Sequence, residues 1–318
     1  MAASQLLCHA FVFSSSSAVQ DEEKVITSLS NPFVKHCVKL RLSSSYRHSN
    51  STALVVGFTP ISEILRFEEK NRTSVNIDRG DSLVECLMLL DEMEVPMPYF
   101  RSGKDACWKV VRVSREVMRK VSGLKSVDST ETIAVLRIPR SFLSLEGAES
   151  MDYLNRFGGK PHRILVLDGI QDPGNLGTLL RSAMAFKWDG VFLLPGCCDP
   201  FNEKAVRAAR GSSFQMSIVR GNWVHLKSFR DHFKMKMLAG HPENDEQKLY
   251  NHRQFSIHLA DVLSDKDICL VLGSEGQGIS EQTKLMCELV SIPMAGDFES
   301  LNVSVAGGIL LFLLQAGI

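Results

Sequence analysis

Polar residues and glycines gather in a short segment that follows an apolar run in the second half of the chain. The segment reads Gln171-Asp-Pro-Gly-Asn-Leu-Gly-Thr-Leu-Leu-Arg181. Pro173-Gly174 predicts a turn, and Asn175 is placed to cap the helix that follows. Gly177 permits close approach of a backbone or a ligand, and Arg181 projects from the next turn of the helix. The alternative is that Asn175 only caps the helix and Arg181 is only a surface charge.

A second segment, Gly273-Ser-Glu275-Gly276-Gln-Gly278, follows the apolar run Ile268–Leu272. Ligands of open α/β sheets bind at the carboxyl ends of the strands, and so many glycines leave backbone amides free to meet a ligand. The spacing is not GxGxxG and no lysine is present, which excludes a dinucleotide fingerprint and a P-loop. The alternative is a tight turn with a solvated Glu275.

A third segment runs from Ile292 through Pro-Met-Ala-Gly-Asp-Phe-Glu-Ser-Leu-Asn-Val to Ser304 and enters an apolar helix. Ser300, Leu301 and Asn302 stand at the predicted start of that helix, where free N–H groups and the dipole favour anionic or carbonyl groups. Helix capping requires one such residue, whereas Ser300, Asn302 and Ser304 are crowded together. This crowding favours a ligand site over a simple cap.

The apolar runs around these segments predict a doubly wound α/β domain at residues 161–318. The predicted strands are Arg163–Asp168, Val191–Leu194, Phe214–Val219, Lys236–Ala239, Ile268–Leu272 and Leu289–Ile292. The predicted helices cover residues 175–187, 225–233, 280–286 and 302–315.

Residues 25–140 also alternate strands with helices, which predicts a smaller α/β domain. Helices are predicted to begin at Pro32, Thr59 and Arg115, and the first of them has Val34, Val38 and Leu42 on one face. Strands are expected at residues 53–58 and 132–138, and a strand followed by a helix at residues 82–94. Residues 43–51 are predicted to form a Ser-rich loop. Residues 141–160 are polar and form the predicted connector. A chain of 318 residues is typical of two domains.

The formal net charge is zero, yet the first half contains two basic stretches. Residues 25–62 contain no acidic residue but include Lys35, Lys39 and Arg41, and residues 101–128 contain eight Lys/Arg against three acids. Either basic stretch alone is typical of a solvent-exposed surface of the protein. Two basic stretches in one domain favour a surface that contacts phosphate groups.

The remaining composition constrains compartment and cofactors. The eight cysteines show no CxxC and no metal spacing, so we expect reduced, buried thiols and no metal. No apolar run is long enough to cross a membrane. Residues 1–24 suggest a transit peptide for chloroplast or mitochondrion, although residues 1–20 lack Lys and Arg; a disordered terminus in a cytoplasmic protein is the alternative.

In order and spacing, the three segments resemble the three motifs of the SpoU-type (TrmH-family) RNA 2′-O-ribose methyltransferases, the trefoil-knot class. The segment 208–214, which contains Arg210, resembles the family segment between the first two motifs. Residues 26–140 more loosely resemble the family's substrate-binding domain, a small α/β module of the ribosomal-protein type. Val55-Val-Gly-Phe58 departs from the family by lacking the acidic residue usual before the glycine, a departure that bears on the substrate and not on the chemistry.

The resemblance implies a knotted homodimer that binds S-adenosylmethionine and RNA. The implied cofactor-binding residues are Leu272, Gly273, Gly276, Gly278, Ile292, Met294 and Leu301. The implied catalytic residues are Arg181, Asn175, Glu275, Ser300 and Asn302. Lys35, Lys39, Arg41 and Arg210 are the implied RNA contacts.

Arg181 is by family position nearest the ribose oxygen, but a guanidinium is effectively never deprotonated. We therefore expect Arg181 to fix a phosphate or stabilise the alkoxide, with the proton passing to Glu275, to water or to an RNA phosphate. A preceding substrate-binding module favours ribosomal RNA over tRNA. The alternatives are a non-catalytic RNA-binding assembly factor and a Rossmann-type methyltransferase, for which Asp168-Gly-Ile-Gln171 is a poor match.

Overall fold

The computed structural model describes residues 25–74, 83–95, 109–145, 153–154, 159–242, 252–254, 262–263, 265–274, 276, 278–297 and 299–316. The transit-like segment 1–24 and the predicted catalytic residue Glu275 lie outside these ranges. The chain divides into two compact units, residues 1–138 with 201–203, and residues 139–200 with 204–318. No described helix has the length and apolar character needed to cross a membrane.

The first unit is a four-stranded sheet with helices packed on it. Its helices are α1 (Pro32–Leu42), α2 (Ser44–Asn50), α3 (Phe58–Ser74) and α4 (Arg115–Ser122). Its strands are β1 (Thr52–Val56), β2 (Val84–Leu90), β3 (Lys109–Val113) and β4 (Thr132–Arg137), in the sheet order β1-β4-β2-β3. Strand β4 is antiparallel to β1 and β2, whereas β2 and β3 are parallel.

Helix α1 begins as predicted, because Asn31 accepts a hydrogen bond from the Phe33 amide and Pro32 occupies the first turn. The predicted apolar face of this helix is partly correct, since Val34 is buried and Val38 packs against the core, but Leu42 does not belong to it. The buried side chains are Val34, Cys37 and Leu40, while Leu42 is 68% exposed. The face therefore follows Cys37 and Leu40, which pack into the core of this unit.

Three further expectations for this unit are wrong. Residues 44–50 form helix α2 rather than a loop, because Ser43 caps it and the buried Arg47 side chain donates to the Leu40 and Arg41 carbonyls. The strand predicted after residue 82 is present as β2, but residues 91–95 form no helix. The edge strand β3 is absent from the sequence prediction, since its half-exposed residues show no continuous apolar run.

The second unit is an eight-stranded sheet whose pairings are parallel throughout the described residues. Its strands are β5 (Phe142–Ser144), β6 (Arg163–Asp168), β7 (Gly190–Leu193), β8 (Ser217–Arg220), β9 (Lys236–Gly240), β10 (His252–Gln254), β11 (Ile268–Gly273) and β12 (Glu288–Ser291). They lie in the order β10-β12-β9-β11-β6-β7-β8-β5. The helices are α5 (Pro173–Ala185), α6 (Glu203–Ala208), α7 (Trp223–Phe233), α8 (Glu281–Met286) and α9 (Val303–Leu313).

Both faces of this sheet are covered, as the doubly wound prediction requires. Leu165 and Leu167 of β6 belong to the cluster that contains the buried side chains of α5 and α9. The alternate residues Ile164 and Val166 belong to the cluster around α7. A strand buried on both sides has an uninterrupted apolar run, which explains why β6 matches its predicted bounds.

Other bounds in this unit differ from the predictions. The strand expected at residues 214–219 is present as β8 but begins later, at Ser217, because residues 212–214 form a short 3-10 helix after Gly211. Helix α6 is not among the predicted helices, and β5 lies within the connector predicted at 141–160. The knotted path of the chain stays a prediction.

Two glycines hold helices of this unit close together. A Cβ on Gly177 of α5 would lie 2.3 Å from the Ala205 carbonyl oxygen of α6, so the close approach predicted there is that of another backbone. A Cβ on Gly307 of α9 would lie 2.3 Å from Leu179 of α5. Because of this packing, the start of α9 is held beside the sheet.

Candidate active site

A cavity of about 470 Å³ lies at the carboxyl ends of β9, β11 and β12. The register pairs Gly240 with Leu272 and with Val290, so the three strands end at one edge of the sheet. The cavity is lined by Gly240, His241, Pro242, Leu272, Gly273, Ser274, Gly278, Ile279, Val290, Ile292, Met294, Ser300, Leu301, Asn302, Val303, Ala306 and Leu310. Most of these residues are apolar, with a few polar groups among them.

The glycine loop after β11 is folded tightly on itself. The Gly278 amide donates to the Ser274 carbonyl over 2.9 Å, and Gly278 has a φ of +66°, which favours glycine. A Cβ on Gly273 would lie 2.2 Å from the Gly278 carbonyl oxygen. This crossing of two backbones leaves room for no side chain at Gly273, and it brings main-chain groups to the cavity wall.

Asp168, the last residue of β6, anchors the chain that follows the glycine loop. Its carboxylate accepts a 2.7 Å hydrogen bond from the Thr283 hydroxyl and a 3.4 Å bond from the Ser280 amide. Thr283 is fully buried in α8, whose first turn Ser280 caps. The loop is therefore fixed at both ends, by β11 and by the contact with Asp168.

Asn302 is the N-cap of α9. Its side-chain oxygen accepts from the Ser304 amide over 2.9 Å and from the Ser304 hydroxyl over 2.6 Å. Among the described residues nothing accepts from its amide nitrogen, which remains available as a donor. Ser300 and Leu301 are exposed beside it on the cavity wall.

The cavity contains most of the predicted cofactor-binding residues. Leu272, Gly273, Gly278, Ile292, Met294 and Leu301 line it, and so do the predicted catalytic residues Ser300 and Asn302. Gly276 does not line the cavity. Arg181 and Asn175 of the first segment do not line it either.

The predicted cap of helix α5 is wrong. Asp172 is the N-cap, and its side chain accepts from the Asn175 amide over 2.8 Å, because Pro173 belongs to the first turn of the helix rather than to a preceding turn. Arg181 lies on the same helix and is exposed. In the part of the chain that the structure describes, no group pairs with its guanidinium.

The segment from Gly240 to Pro242 also lines the cavity, after β9, although the sequence patterns do not single it out. A Cβ on Gly240 would lie 3.0 Å from Leu310 and 3.1 Å from Leu272, so glycine keeps this wall open. His241 is half-buried, and its ring Nδ1 lies 2.7 Å from the Pro242 carbonyl oxygen. The signal in the sequence is the position of Gly-His-Pro directly after a buried strand.

The predicted RNA-contacting residues occupy different settings. Lys39 places its ammonium 5.5 Å from the centroid of the Tyr46 ring, and Lys35 is exposed on the same helix. Arg41 lines a separate cavity in the first unit. Arg210, in the second unit, is half-buried with a left-handed backbone at φ +49°.

The described cysteines are free thiols, and burial keeps several of them protonated. Burial raises the pKa of Cys197 to about 11 and the pKa of Cys198 and of Cys287 to about 12. At neutral pH such thiols contain almost no thiolate, the form in which a cysteine acts as a nucleophile. Within the described ranges, no three His, Cys, Asp or Glu side chains are grouped as a metal ion would require.

Comparison with known protein families finds a match in the part of the chain that contains this cavity. A model of the SpoU rRNA methylase family matches residues 162–312, which include the cavity. The chain carries a SpoU methylase domain.

Curated relatives of the SpoU domain were found in bacteria. A 23S rRNA (guanosine(2553)-2′-O)-methyltransferase of Bacillus subtilis is 35% identical over 155 residues, which cover 48% of this chain and 58% of that protein. An uncharacterised tRNA/rRNA methyltransferase of Synechocystis is 34% identical over 149 residues, 46% of this chain and 51% of that protein. The chain thus spans little more than half the length of these relatives.

Solved structures show that the fold extends beyond the SpoU domain. An AdoMet-bound rRNA methyltransferase from Sinorhizobium meliloti superimposes with a TM-score of 0.68 at 21% identity, covering 92% of this chain and 97% of that one. At this identity the likeness establishes the α/β fold.

Proposed function

We propose that this protein is an RNA methyltransferase that transfers a methyl group from S-adenosylmethionine to a ribose 2′-hydroxyl. One observation carries the proposal. Residues that the family resemblance assigns to cofactor binding, although distant in the sequence, line one cavity at the carboxyl edge of a parallel sheet. That edge is where open α/β sheets bind their ligands.

The cavity fits a nucleoside-containing cofactor. Its volume of about 470 Å³ is within the range of small-molecule sites. Leu272, Ile292 and Leu301 provide apolar surface for a flat base, and the main chain of Gly273 and Gly278 provides polar groups without side-chain bulk. When bound there, S-adenosylmethionine supplies an electrophilic methyl group on a sulfonium centre.

The protein's part in the reaction is to bind, align and assist loss of a proton. Arg181 holds an RNA phosphate or stabilises the developing alkoxide, because its guanidinium stays protonated and is not paired with any described residue. Glu275, water and an RNA phosphate are the candidate acceptors of the 2′ proton. Ser300 and Asn302 add hydroxyl and amide donors at the start of α9.

Ribosomal RNA is the proposed substrate. The family description names rRNA, and so does the name of the Bacillus relative, while the Synechocystis relative is named for both tRNA and rRNA. The test is to map 2′-O-methyl groups in total RNA from cells with and without the protein. Loss of a site in ribosomal RNA supports the proposal, loss of a tRNA site favours the alternative, and an unchanged map favours a non-catalytic RNA-binding role.

We also propose a homodimer. Helix α9 exposes apolar side chains, with Val305 50% and Phe312 49% exposed, and Phe312 meets Phe186 edge-on at 5.6 Å. Such a surface is typical of subunit interfaces. Light scattering coupled to size exclusion tests this proposal: a dimer mass that Phe312→Ser reduces to a monomer supports it, and a monomeric wild-type protein contradicts it.

A further inference from the structure

A second cavity lies within the first unit, between helix α1 and the carboxyl end of α4. Its volume is about 360 Å³. It is lined by Leu29, Arg41, Glu116, Arg119, Lys120, Gly123, Leu124 and Lys125, and we call it the basic groove. Four of its eight residues are cationic and one is acidic.

The side chain of Arg41 is held in this groove by contact with Gly123. A Cβ on Gly123 would lie 2.2 Å from the Arg41 Nη1 atom, so the guanidinium packs directly on the glycine backbone. Gly123 ends α4 in the left-handed conformation at φ +72°, donating its amide to the Arg119 carbonyl. This close packing is possible because Gly123 has no side chain, and the packing positions the guanidinium of Arg41.

No described carboxylate is paired with any of the four cations of the basic groove. In the described part of the chain no ion pair joins Arg41, Arg119, Lys120 or Lys125 to a carboxylate, and the buried Arg41 Nε–H has no acceptor. Cations that share a small cavity repel one another, and a buried donor without an acceptor is unfavourable. An anionic ligand in the groove relieves the repulsion.

Helix dipoles alone do not explain this arrangement. Arg41, Arg119 and Lys120 lie in the last turns of their helices, where a cation is modestly favourable. Lys125 lies beyond the end of α4, and the dipole does not require two helix ends to direct their cations into one cavity. Cationic residues from the ends of two helices thus line one cavity, an arrangement suited to a bound anion.

We propose that the basic groove binds the phosphodiester backbone of the RNA substrate. This inference rests on the proposed function, and it assigns RNA binding in the first unit to residues other than Lys35 and Lys39. Because each residue turns a helix by about 100°, Lys35 and Lys39 point roughly 120° or more around α1 from Arg41. Leu29 and Leu124 flank the cations and offer apolar surface to ribose or base.

The test compares charge removal inside and outside the groove in the full-length protein. The groove variant R119Q/K120Q and the matched control K35Q/K39Q each remove two exposed cations of the same unit. Binding of fluorescein-labelled poly(U) is measured by anisotropy over a range of salt concentrations. We expect the groove variant to bind roughly tenfold more weakly, with a salt slope flatter by about 0.7 for each phosphate that the protein no longer neutralises.

A third variant separates geometry from net charge. Gly123→Asn keeps every charge and tolerates the left-handed backbone, but its Cβ displaces the Arg41 guanidinium. We expect weaker poly(U) binding than in the wild type. Circular dichroism and thermal melting confirm that each variant is folded before its binding is interpreted.

Equal weakening in the groove variant and the control, or no weakening in either, would overturn the proposal. It is also wrong if anionic phosphatidylserine vesicles bind through these residues and poly(U) does not. Binding of S-adenosylmethionine is measured in parallel on the same proteins. Its absence in the wild type contradicts the proposed function while leaving the RNA result readable, because poly(U) binding is measured without cofactor.

Discussion

The guanidinium of Arg181 is exposed on α5 and has no partner among the described residues. An exposed cation with no ion pair among the described residues is available to an RNA ligand. Its neighbours Leu179 and Leu180 are fully buried and account for the packing of the helix. The proposed chemistry and the stability of the fold are therefore carried by adjacent but different side chains.

Arg181→Ala is expected to reduce methyl transfer by roughly a hundredfold to a thousandfold and to leave cofactor affinity nearly unchanged. The residue does not line the cavity, and an interaction made only in the transition state lowers turnover without changing ground-state binding. Turnover on RNA is measured beside calorimetry with S-adenosylmethionine. Arg181→Lys partly restores a simple electrostatic effect but not a bidentate clamp, since lysine lacks the planar fork.

Near-normal turnover in Arg181→Ala would remove this residue from the mechanism. Loss of both turnover and cofactor binding would make Arg181 a cofactor-binding or folding residue instead.

Gly273→Ala is expected to weaken S-adenosylmethionine binding by about tenfold or more, which corresponds to about 1.4 kcal/mol. The new Cβ meets the carbonyl group of Gly278, which is backbone and moves only if the loop opens. Gly308→Ala is the matched control, because a Cβ there meets no atom within 4 Å and Gly308 does not line the cavity. Calorimetry on both variants decides: equal affinities would mean that the tight crossing of the loop is not required for the cofactor.

At the scale of elements, helix α9 connects the cavity to the far end of the sheet. Its first residues line the cavity, while its carboxyl end is held by Arg163, which is 2% exposed. The Arg163 Nε donates to the Leu314 carbonyl over 2.6 Å, and its other nitrogens donate to the carbonyls of His162, Leu263 and Lys266. A buried cation that satisfies several carbonyls joins the end of α9 to the start of β6.

Arg163→Met is expected to lower the free energy of unfolding by about 3 kcal/mol, because several buried carbonyls lose a charged donor at once. Lys227→Met serves as the control, since Lys227 is exposed on α7, and a substitution of such a surface residue changes stability by about 0.5 kcal/mol or less. Urea denaturation followed by tryptophan fluorescence gives both values. A decrease for Arg163→Met no larger than the control's would show that the carbonyl contacts do not stabilise α9.

The elements differ in how far the sequence predicts them, for reasons of burial. The strand β6 is predicted residue for residue, since both of its faces are buried and its apolar run is unbroken. The sequence pattern predicts a loop where α2 lies, because Ser and Asn favour turns. The helix is stabilised by the tertiary contact of Arg47, which no local pattern indicates. Strand β3 lies at a sheet edge, where partial exposure weakens the pattern.

At the scale of the molecule, the cavity is largely predictable and the basic groove is not. Two of the loops that line it, after β11 and after β12, are recognisable in the sequence because each follows an apolar strand with glycine or helix-start signals. The segment from Gly240 to Pro242 escapes prediction because the expected strand ends one residue short of Gly240. The basic groove depends on the packing of α1 against α4, and no linear pattern places Arg41 beside Lys125.

The proposed activity of the intact protein is methyl transfer to a ribose hydroxyl. The direct test incubates purified protein with unmodified ribosomal RNA and S-adenosylmethionine carrying an isotopically labelled methyl group. The RNA is then digested to nucleosides and analysed by mass spectrometry, with Arg181→Ala as the control. We expect label in a 2′-O-methylnucleoside from the wild type alone; label on a base, or no label although the cofactor binds, would contradict methyl transfer to the ribose.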